Sequence, residues 1–128
     1  MTKTLIVAEL SANHNGSKRL AIETVRAVAQ TGADAIKLQT YTAETLTLAS
    51  HKEDFRISQG TLWDGRYLYD LYKEAYTPWE WHEELFHVAQ EEGLVCFSSP
   101  FDKTAVDFLE GLNNPIYKIA SFEITDIP

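Results

Sequence analysis

Two lysines stand inside apolar runs that otherwise look like buried strands. Lys37 lies within ADAIKLQTY (33–41), and Lys118 lies within PIYKIASFEI (115–124). A lysine is almost never fully buried unless its charge has a partner, so both positions favour a site that needs positive charge. Two ammonium groups that converge on one cavity suit a small polyanion, and phosphate and carboxylate are the obvious groups for it to carry.

Further polar residues are expected on the same face of the strands, because residues two apart in a strand point to the same side. Lys37 and Gln39 share a side of their strand, and Glu9 takes the matching position at the end of an earlier apolar run. This face is predicted to carry two ammonium groups, a carboxylate and an amide. The serines expected at its rim are Ser98, Ser99 and Ser121.

An ion-pair network that serves only the fold is the alternative, with Lys37 bound to Glu9 and Lys118 bound to Glu123. Removing one partner from a buried pair costs about 3–5 kcal/mol, whereas replacing the whole pair by apolar residues is often neutral or stabilising. A fold with no use for these charges would therefore gain little by keeping them. We interpret the two lysines as binding residues.

Four strands and four helices are predicted to position these residues. The strands are short apolar runs rich in β-branched residues, and the helices repeat apolar residues every three or four positions. Gly32 is placed to end the first helix, Thr77 and Glu80 match a capping box at the start of the third, and Asp102 is expected to cap the fourth. The predicted strands are 5–10, 35–40, 94–99 and 116–121, and the helices lie within 17–32, 66–75, 77–93 and 100–112.

Alternating strands and helices predict an α/β fold with a parallel sheet. A doubly wound open sheet and part of a (β/α)8 barrel both fit this pattern. The first turn, ELSANHNG (9–16), lacks a glycine-rich phosphate loop, and the polar residues gather at the carboxyl ends of the strands, where a barrel has its active site. We therefore predict the N-terminal half of a (β/α)8 TIM barrel, about four βα units. A complete barrel needs about 250 residues, so residues 1–128 are expected to be a truncated portion of the domain.

The composition excludes some classes of partner. The chain has 45% hydrophobic and 23% charged residues and a formal net charge of -8. Nucleic acids and anionic membranes attract basic surfaces, so neither is an expected partner. The single cysteine, Cys96, lies in an apolar run and has no second cysteine to pair with. It is expected to be a buried apolar residue in a reducing compartment, which favours a cytoplasmic location.

Several longer motifs resemble the sialic acid synthase family. The resemblance covers essentially the whole chain, and the block from GTLWDG to EAYTPWEWH is similar to the pseudaminic acid synthase branch. The motifs are AELSANHNG (8–16), GADAIKLQTY (32–41), GTLWDG (60–65), EAYTPWEWH (74–82), CFSSPFDKTAVDFL (96–109) and YKIASFEI (117–124).

The resemblance implies a barrel enzyme that condenses phosphoenolpyruvate with an N-acetylated amino sugar, giving a nine-carbon 2-keto acid and phosphate. In the pseudaminic branch the sugar is a 2,4-diacetamido-2,4,6-trideoxy-altrose. The nearest alternative is an N-acetylneuraminic acid synthase that uses N-acetylmannosamine. The alternative outside the enzymes is a catalytically inactive half-barrel that serves as an interaction module.

Individual residues acquire expected roles from the same resemblance. Lys37, Lys118 and Ser121 match residues that bind phosphoenolpyruvate, and Ser99 stands where some relatives have threonine. Gln39 matches a substrate-binding residue on the sugar side.

Two carboxylates are the expected catalytic residues. Glu9 matches a sugar-side residue, and Glu123 matches a glutamate proposed to act as a base on the attacking water. The irregular stretch 42–65 is expected to fold across the sugar, with Trp63 or Tyr67 against one of its methyl groups. His14 follows the first strand near the carboxyl ends of the strands, where it either touches a ligand or structures the loop.

The resemblance also implies a divalent cation, manganese or magnesium, and a homodimer in the full-length enzyme. The metal-binding histidines of the family lie on later strands, so no metal site is expected within residues 1–128. A C-terminal antifreeze-like domain, which lends an arginine to the partner's site, is likewise expected outside this portion.

Overall fold

Three parallel strands form one sheet, in the order in which they occur along the chain. The structure, a computed structural model, describes residues 3–127. The strands are β1 (Val7–Glu9), β2 (Ala35–Thr40) and β3 (Val95–Pro100). The α-helices are α1 (Lys18–Ala29), α2 (Ala43–Leu46), α3 (Leu68–Ala75), α4 (His82–Glu91) and α5 (Lys103–Gly111). The predicted α/β fold with a parallel sheet is confirmed.

Helices cover one face of the sheet and form the core with it. Ile36 and Leu38 of β2 are fully buried and pack in one apolar cluster with Val25 of α1 and Leu85 of α4. Burying a side chain of this size contributes about 1.5–3 kcal/mol. Cys96 belongs to the same cluster, and burial raises the pKa of its thiol to about 12. The cysteine is therefore an apolar core residue, as predicted.

Local signals set the ends of two helices. The Ser17 hydroxyl accepts a hydrogen bond from the backbone N–H of Leu20 at the start of α1, and the Asp102 carboxylate accepts one from Ala105 at the start of α5. Gly32 follows α1 with φ +81°, a left-handed conformation that glycine adopts without steric cost. Among the helices of the described residues, none is long and apolar enough to cross a membrane.

The capping box predicted at Thr77 is wrong. The chain enters α4 through a 3₁₀ turn (Trp79–Trp81), and no side chain caps either element. The Thr77 hydroxyl instead lies 3.0 Å from Nε2 of His14, which is 63 positions away along the chain. The Thr77 hydroxyl therefore bonds to a residue that is distant in the sequence and does not cap the start of the helix.

The predicted fourth strand, 116–121, is also wrong as a continuous strand. Only Tyr117 pairs with β3, through a single parallel bridge to Ser98, and the chain then enters a 3₁₀ turn (Ser121–Glu123). A strand persists when ladder bonds and buried side chains support it. Here Ile119 is 57% exposed, so the apolar run that suggested a strand gains little burial.

The connection between β2 and α3 is ordered by its own hydrogen bonds. The Asp64 carboxylate accepts backbone N–H bonds from Gln59, Gly60 and Thr61, at 3.2, 2.9 and 2.9 Å. These bonds hold the pKa of the Asp64 carboxyl below its usual range. Trp63, next to Asp64 on this loop, is half exposed.

Candidate functional site

Five side chains share the face of the sheet opposite the core residues Ile36 and Leu38. In the register of the strands, Glu9 pairs with Lys37 and Lys37 with Phe97, while Gln39 pairs with Ser99 one step nearer the carboxyl ends. Alternate residues of a strand face opposite sides, so these residues form two adjacent rows. The predicted grouping of Lys37 with Gln39 and Glu9 is consistent with this register.

Lys37 is the buried cation of the site. The residue is 6% exposed, and its Nζ lies 3.4 Å from Oε1 of Glu9, whose side chain is 60% exposed. The Lys37–Glu9 pair of the ion-pair alternative therefore forms, but with one partner in solvent. An anionic ligand that displaced Glu9 would find a buried cation with no second ionic partner among residues 3–127.

Ser99 carries an unpartnered hydroxyl beside this pair. The residue is 1% exposed, and its Oγ has no hydrogen-bond partner among residues 3–127. Leaving a buried hydroxyl without a partner costs about 1–3 kcal/mol, and such a group in a folded protein calls for an explanation. Binding of a ligand oxygen would provide the missing partner.

The remaining predicted residues lie on the segment after α5. Lys118 and Ser121 are exposed and Glu123 is half-buried. No ion pair or hydrogen bond of the described residues joins these three side chains to one another or to Lys37, Glu9, Gln39 and Ser99. The structure thus brings together the polar residues of the first three strands, and the Lys118–Glu123 pair of the ion-pair alternative does not form within residues 3–127.

Ser98, Thr40 and His82 form a second polar group, on the side of the sheet against which the helices pack. Ser98 Oγ lies 2.7 Å from Thr40 Oγ1, which lies 2.9 Å from Nε2 of His82. All three residues are fully buried. The predicted position of Ser98 at the rim of the site face is therefore wrong, because Ser98 alternates with Ser99 along β3 and its hydroxyl bonds to Thr40 on the opposite side of the sheet. No pattern in the sequence assigned a role to Thr40 or His82.

Asn114 extends this group toward the last segment. Its Oδ1 accepts the backbone N–H of Ser98 at 3.0 Å, and its Nδ2 donates to the carbonyl oxygen of Ile116 at 2.8 Å. The side-chain amide therefore bridges β3 and the segment that carries Lys118. No pattern in the sequence marked Asn114 for this role.

The described residues offer no metal site. Within residues 3–127, no group of three or more histidine, cysteine, aspartate or glutamate side chains could hold a metal ion. Two of the four histidines, His14 and His82, are buried and hydrogen-bonded to threonines, and the other two each lie beside one carboxylate. The divalent cation that the resemblance implies thus finds no fitting ligand set in this part of the chain.

Comparison with solved structures relates the fold to a known enzyme class. The N-acetylneuraminic acid (sialic acid) synthetase from Leptospira borgpetersenii superposes with a TM-score of 0.81 and 28% sequence identity, over 98% of this chain and 39% of that one. The match places the three-stranded sheet and its helices on the N-terminal part of that synthetase.

Sequence comparison narrows the class further. The chain is 56% identical over 124 residues to the pseudaminic acid synthase of Campylobacter jejuni and 58% identical over 122 residues to that of Helicobacter pylori. These matches cover 97% and 95% of this chain but 36% of each relative, so the chain spans about a third of the length of the curated relatives it matches. Residues 24–128 match the model of the NeuB family. The chain therefore belongs to the NeuB family, in the pseudaminic branch of the sialic acid synthases.

Proposed function

We propose that this chain is the N-terminal part of the catalytic barrel of a pseudaminic acid synthase. The enzyme condenses phosphoenolpyruvate with a 2,4-diacetamido-2,4,6-trideoxy-altrose and releases phosphate. The observation that carries the proposal is the identity of 56–58% to two pseudaminic acid synthases over nearly the whole chain. The arrangement of Lys37, Gln39 and Ser99 on one sheet face supports it.

Phosphoenolpyruvate binds over Lys37 and Ser99 in this proposal. The ligand carries a phosphate and a carboxylate, and Lys37 is a buried cation whose one ionic partner among the described residues is largely solvated. The Ser99 hydroxyl supplies a hydrogen-bond donor in the next row. A preorganised cation and donor orient the anion and stabilise charge that develops during the reaction.

Lys118 joins the same site when the last segment continues as a strand. Tyr117 already pairs with Ser98 in parallel register, so one more step along both strands places Lys118 beside Ser99. Ser99 faces the side of the sheet that carries Lys37, and Lys118 would face the same side. Ser121 and Glu123 follow on this segment, and we assign them to the phosphoenolpyruvate and to the attacking water, respectively.

The reaction order follows from the chemistry of the two substrates. The enol-ether carbon of phosphoenolpyruvate attacks the aldehyde carbon of the open-chain sugar, and water adds at the adjacent cationic carbon. Phosphate then leaves with cleavage of its carbon–oxygen bond. Gln39 and Glu9 lie on the sugar side, and Lys37 holds the anionic substrate throughout. No step is assigned to a metal ion, because the described residues do not fit one.

The substrate assignment is tested with the complete enzyme that contains this chain. Phosphate release and product mass are measured with phosphoenolpyruvate and either the 2,4-diacetamido sugar or N-acetylmannosamine. We expect turnover with the diacetamido sugar and little with N-acetylmannosamine. A preference for N-acetylmannosamine would move the assignment to the N-acetylneuraminic acid synthases, and no turnover with either sugar would favour the inactive interaction module.

The role of Lys37 is tested by Lys37→Met in the same enzyme. Because Glu9 is mostly solvated, loss of its partner should lower the free energy of unfolding by about 1 kcal/mol or less. Binding of phosphoenolpyruvate, measured by calorimetry, should become undetectable. Severe unfolding with intact phosphoenolpyruvate affinity would instead support a purely structural ion pair.

A further inference from the structure

The hydrogen-bond partners of Ser98, Thr40 and His82 favour one arrangement of protons. Nδ1 of His82 lies 3.3 Å from the carbonyl oxygen of Pro78, which can only accept, so Nδ1 carries the proton. Nε2 of the neutral ring then accepts from the Thr40 hydroxyl, and Thr40 in turn accepts from Ser98. Burial lowers the pKa of His82 to about 4, so the ring stays neutral at pH 7 and Nε2 remains an acceptor.

Each hydroxyl in this chain of bonds belongs to a neighbour of a site residue. Thr40 directly follows Gln39, and Ser98 directly precedes Ser99. The side chains of adjacent residues point to opposite sides of a strand, so the buried bonds and the site share the same short pieces of backbone. A displacement of Thr40 or Ser98 therefore displaces Gln39 or Ser99.

The start of α4 fixes the position of His82 relative to β2 and β3. His82 is the first residue of α4, and its ring is bonded on one side to Thr40 and on the other to Pro78 in the preceding turn. The edge of the ring also packs against Phe108 of α5, with the ring centroids 5.5 Å apart. Contacts at the start of α4 and with α5 thus hold the imidazole in place. Its bond to Thr40, and the bond from Thr40 to Ser98, fix the ends of β2 and β3 relative to these helices.

We propose that His82, in the tautomer protonated at Nδ1, is a positioning residue that holds Gln39 and Ser99 in place through Thr40 and Ser98. The inference rests on the proposed function, in which Gln39 faces the sugar and Ser99 faces phosphoenolpyruvate. His82 acts through the two hydroxyls and contacts no reacting atom.

The kinetic test uses Thr40→Val in the complete enzyme. Valine keeps the shape of threonine but cannot donate to His82 or accept from Ser98. A small misplacement of binding groups costs up to about 100-fold in rate, so we expect KM for the sugar to rise at least about tenfold. Thr40→Ser restores the hydroxyl and should bring KM back to within about threefold of the unsubstituted enzyme.

A matched control separates positioning from simple loss of stability. Val25→Ala opens a cavity in the core at α1 and touches none of these bonds, so it should lower the folded fraction while both KM values stay unchanged. If Thr40→Val also lowers only apparent kcat and leaves both KM values unchanged, the positioning role is overturned. If the unsubstituted enzyme makes no product from either sugar, the proposed function fails and the positioning role for that reaction fails with it.

The tautomer is tested independently of activity. Nitrogen-15 NMR of the unsubstituted protein at pH 7 distinguishes the two ring nitrogens of His82. We expect a protonated Nδ1 and an unprotonated, hydrogen-bonded Nε2. A proton on Nε2 would overturn the proposed chain of bonds whatever reaction the protein catalyses.

Discussion

Nε2 of His14 lies 3.0 Å from the hydroxyl oxygen of Thr77, and this contact joins the turn after β1 to the turn before α4. Nδ1 of His14 accepts the backbone N–H of Gly16 at 3.1 Å, so Nε2 carries the proton and donates to Thr77. His14 is fully buried. Of the two roles considered for it, structuring the loop beside Glu9 is the one that this geometry supports.

Replacing Thr77 should therefore destabilise the fold. Thr77→Val leaves the Nε2–H of His14 buried without an acceptor, which should lower the free energy of unfolding by about 1–3 kcal/mol. Urea denaturation measures the change. Thr77→Ser keeps the hydroxyl and should retain most of the stability, whereas equal stability of the valine variant and the unsubstituted protein would show that the bond contributes nothing.

The buried His82 should make stability depend on pH. Its pKa is lowered from 6.5 to about 4 in the folded protein, so the unfolded chain binds more protons between these two values. The free energy of unfolding should fall by about 3 kcal/mol as the pH decreases through this window, and this group has no effect above it. The measurement is urea denaturation over a pH series.

One variant isolates the contribution of His82. His82→Gln removes the titrating group and should make the pH dependence shallower, whatever its effect on stability at pH 7. The slope that remains includes His14, because burial also lowers the pKa of that histidine. An undiminished slope in His82→Gln would assign the pH dependence to other groups.

Neighbouring serines should respond in opposite ways to alanine. Ser99→Ala removes a hydroxyl that has no partner among residues 3–127, so stability should stay the same or rise by up to about 1 kcal/mol. Ser98→Ala removes a hydroxyl bonded to Thr40 and should lower stability by about 1–2 kcal/mol. Thermal denaturation gives both values.

The role of Ser99 in substrate binding is tested by the kinetics of the complete enzyme. If its hydroxyl binds phosphoenolpyruvate, Ser99→Ala should raise KM for that substrate about tenfold, the loss of one hydrogen bond to a charged group. Ser99→Thr keeps a hydroxyl and is the matched control. A variant that is strongly destabilised, with an unchanged KM, would show that the hydroxyl belongs to the fold.

The loop that Asp64 orders carries a pair of apolar side chains with different expected roles. Trp63 is 48% exposed and Leu62 is 97% exposed. If the loop folds across the sugar, Trp63→Ala should raise KM for the sugar several-fold, because an aromatic contact contributes about 1 kcal/mol. Leu62→Ala should change neither KM nor stability. Unchanged sugar KM and kcat in Trp63→Ala would remove this loop from the binding site.

Local patterns were sufficient to predict where the first three strands lie and that Lys37 and Gln39 share one face, although β1 is shorter than predicted and Ser98 lies on the other face. Lys37 and Gln39 could be grouped because strand periodicity depends only on the spacing of residues. The cap at Asp102 was predictable for the same reason, since its partners Thr104 and Ala105 follow within three residues. These features can be predicted from neighbouring residues alone, without knowing which distant residues come into contact.

The features that local patterns missed all depend on distant partners. Thr77 matched a capping box, but it bonds to His14 instead. The run around Lys118 has the composition of a strand, but a strand also needs a neighbour on which to bury its side chains, and only Tyr117 finds one in the described residues. The unpartnered hydroxyl of Ser99 could be recognised only once the surroundings of β3 were known.

The order of strands in the sheet has a consequence for biosynthesis. β1, β2 and β3 pair in the sequence in which a ribosome makes them. Each new strand can add to the open edge of its predecessor as soon as it leaves the exit tunnel, and none has to be inserted between two strands that are already paired. Folding that starts at the N-terminus during translation suits this topology.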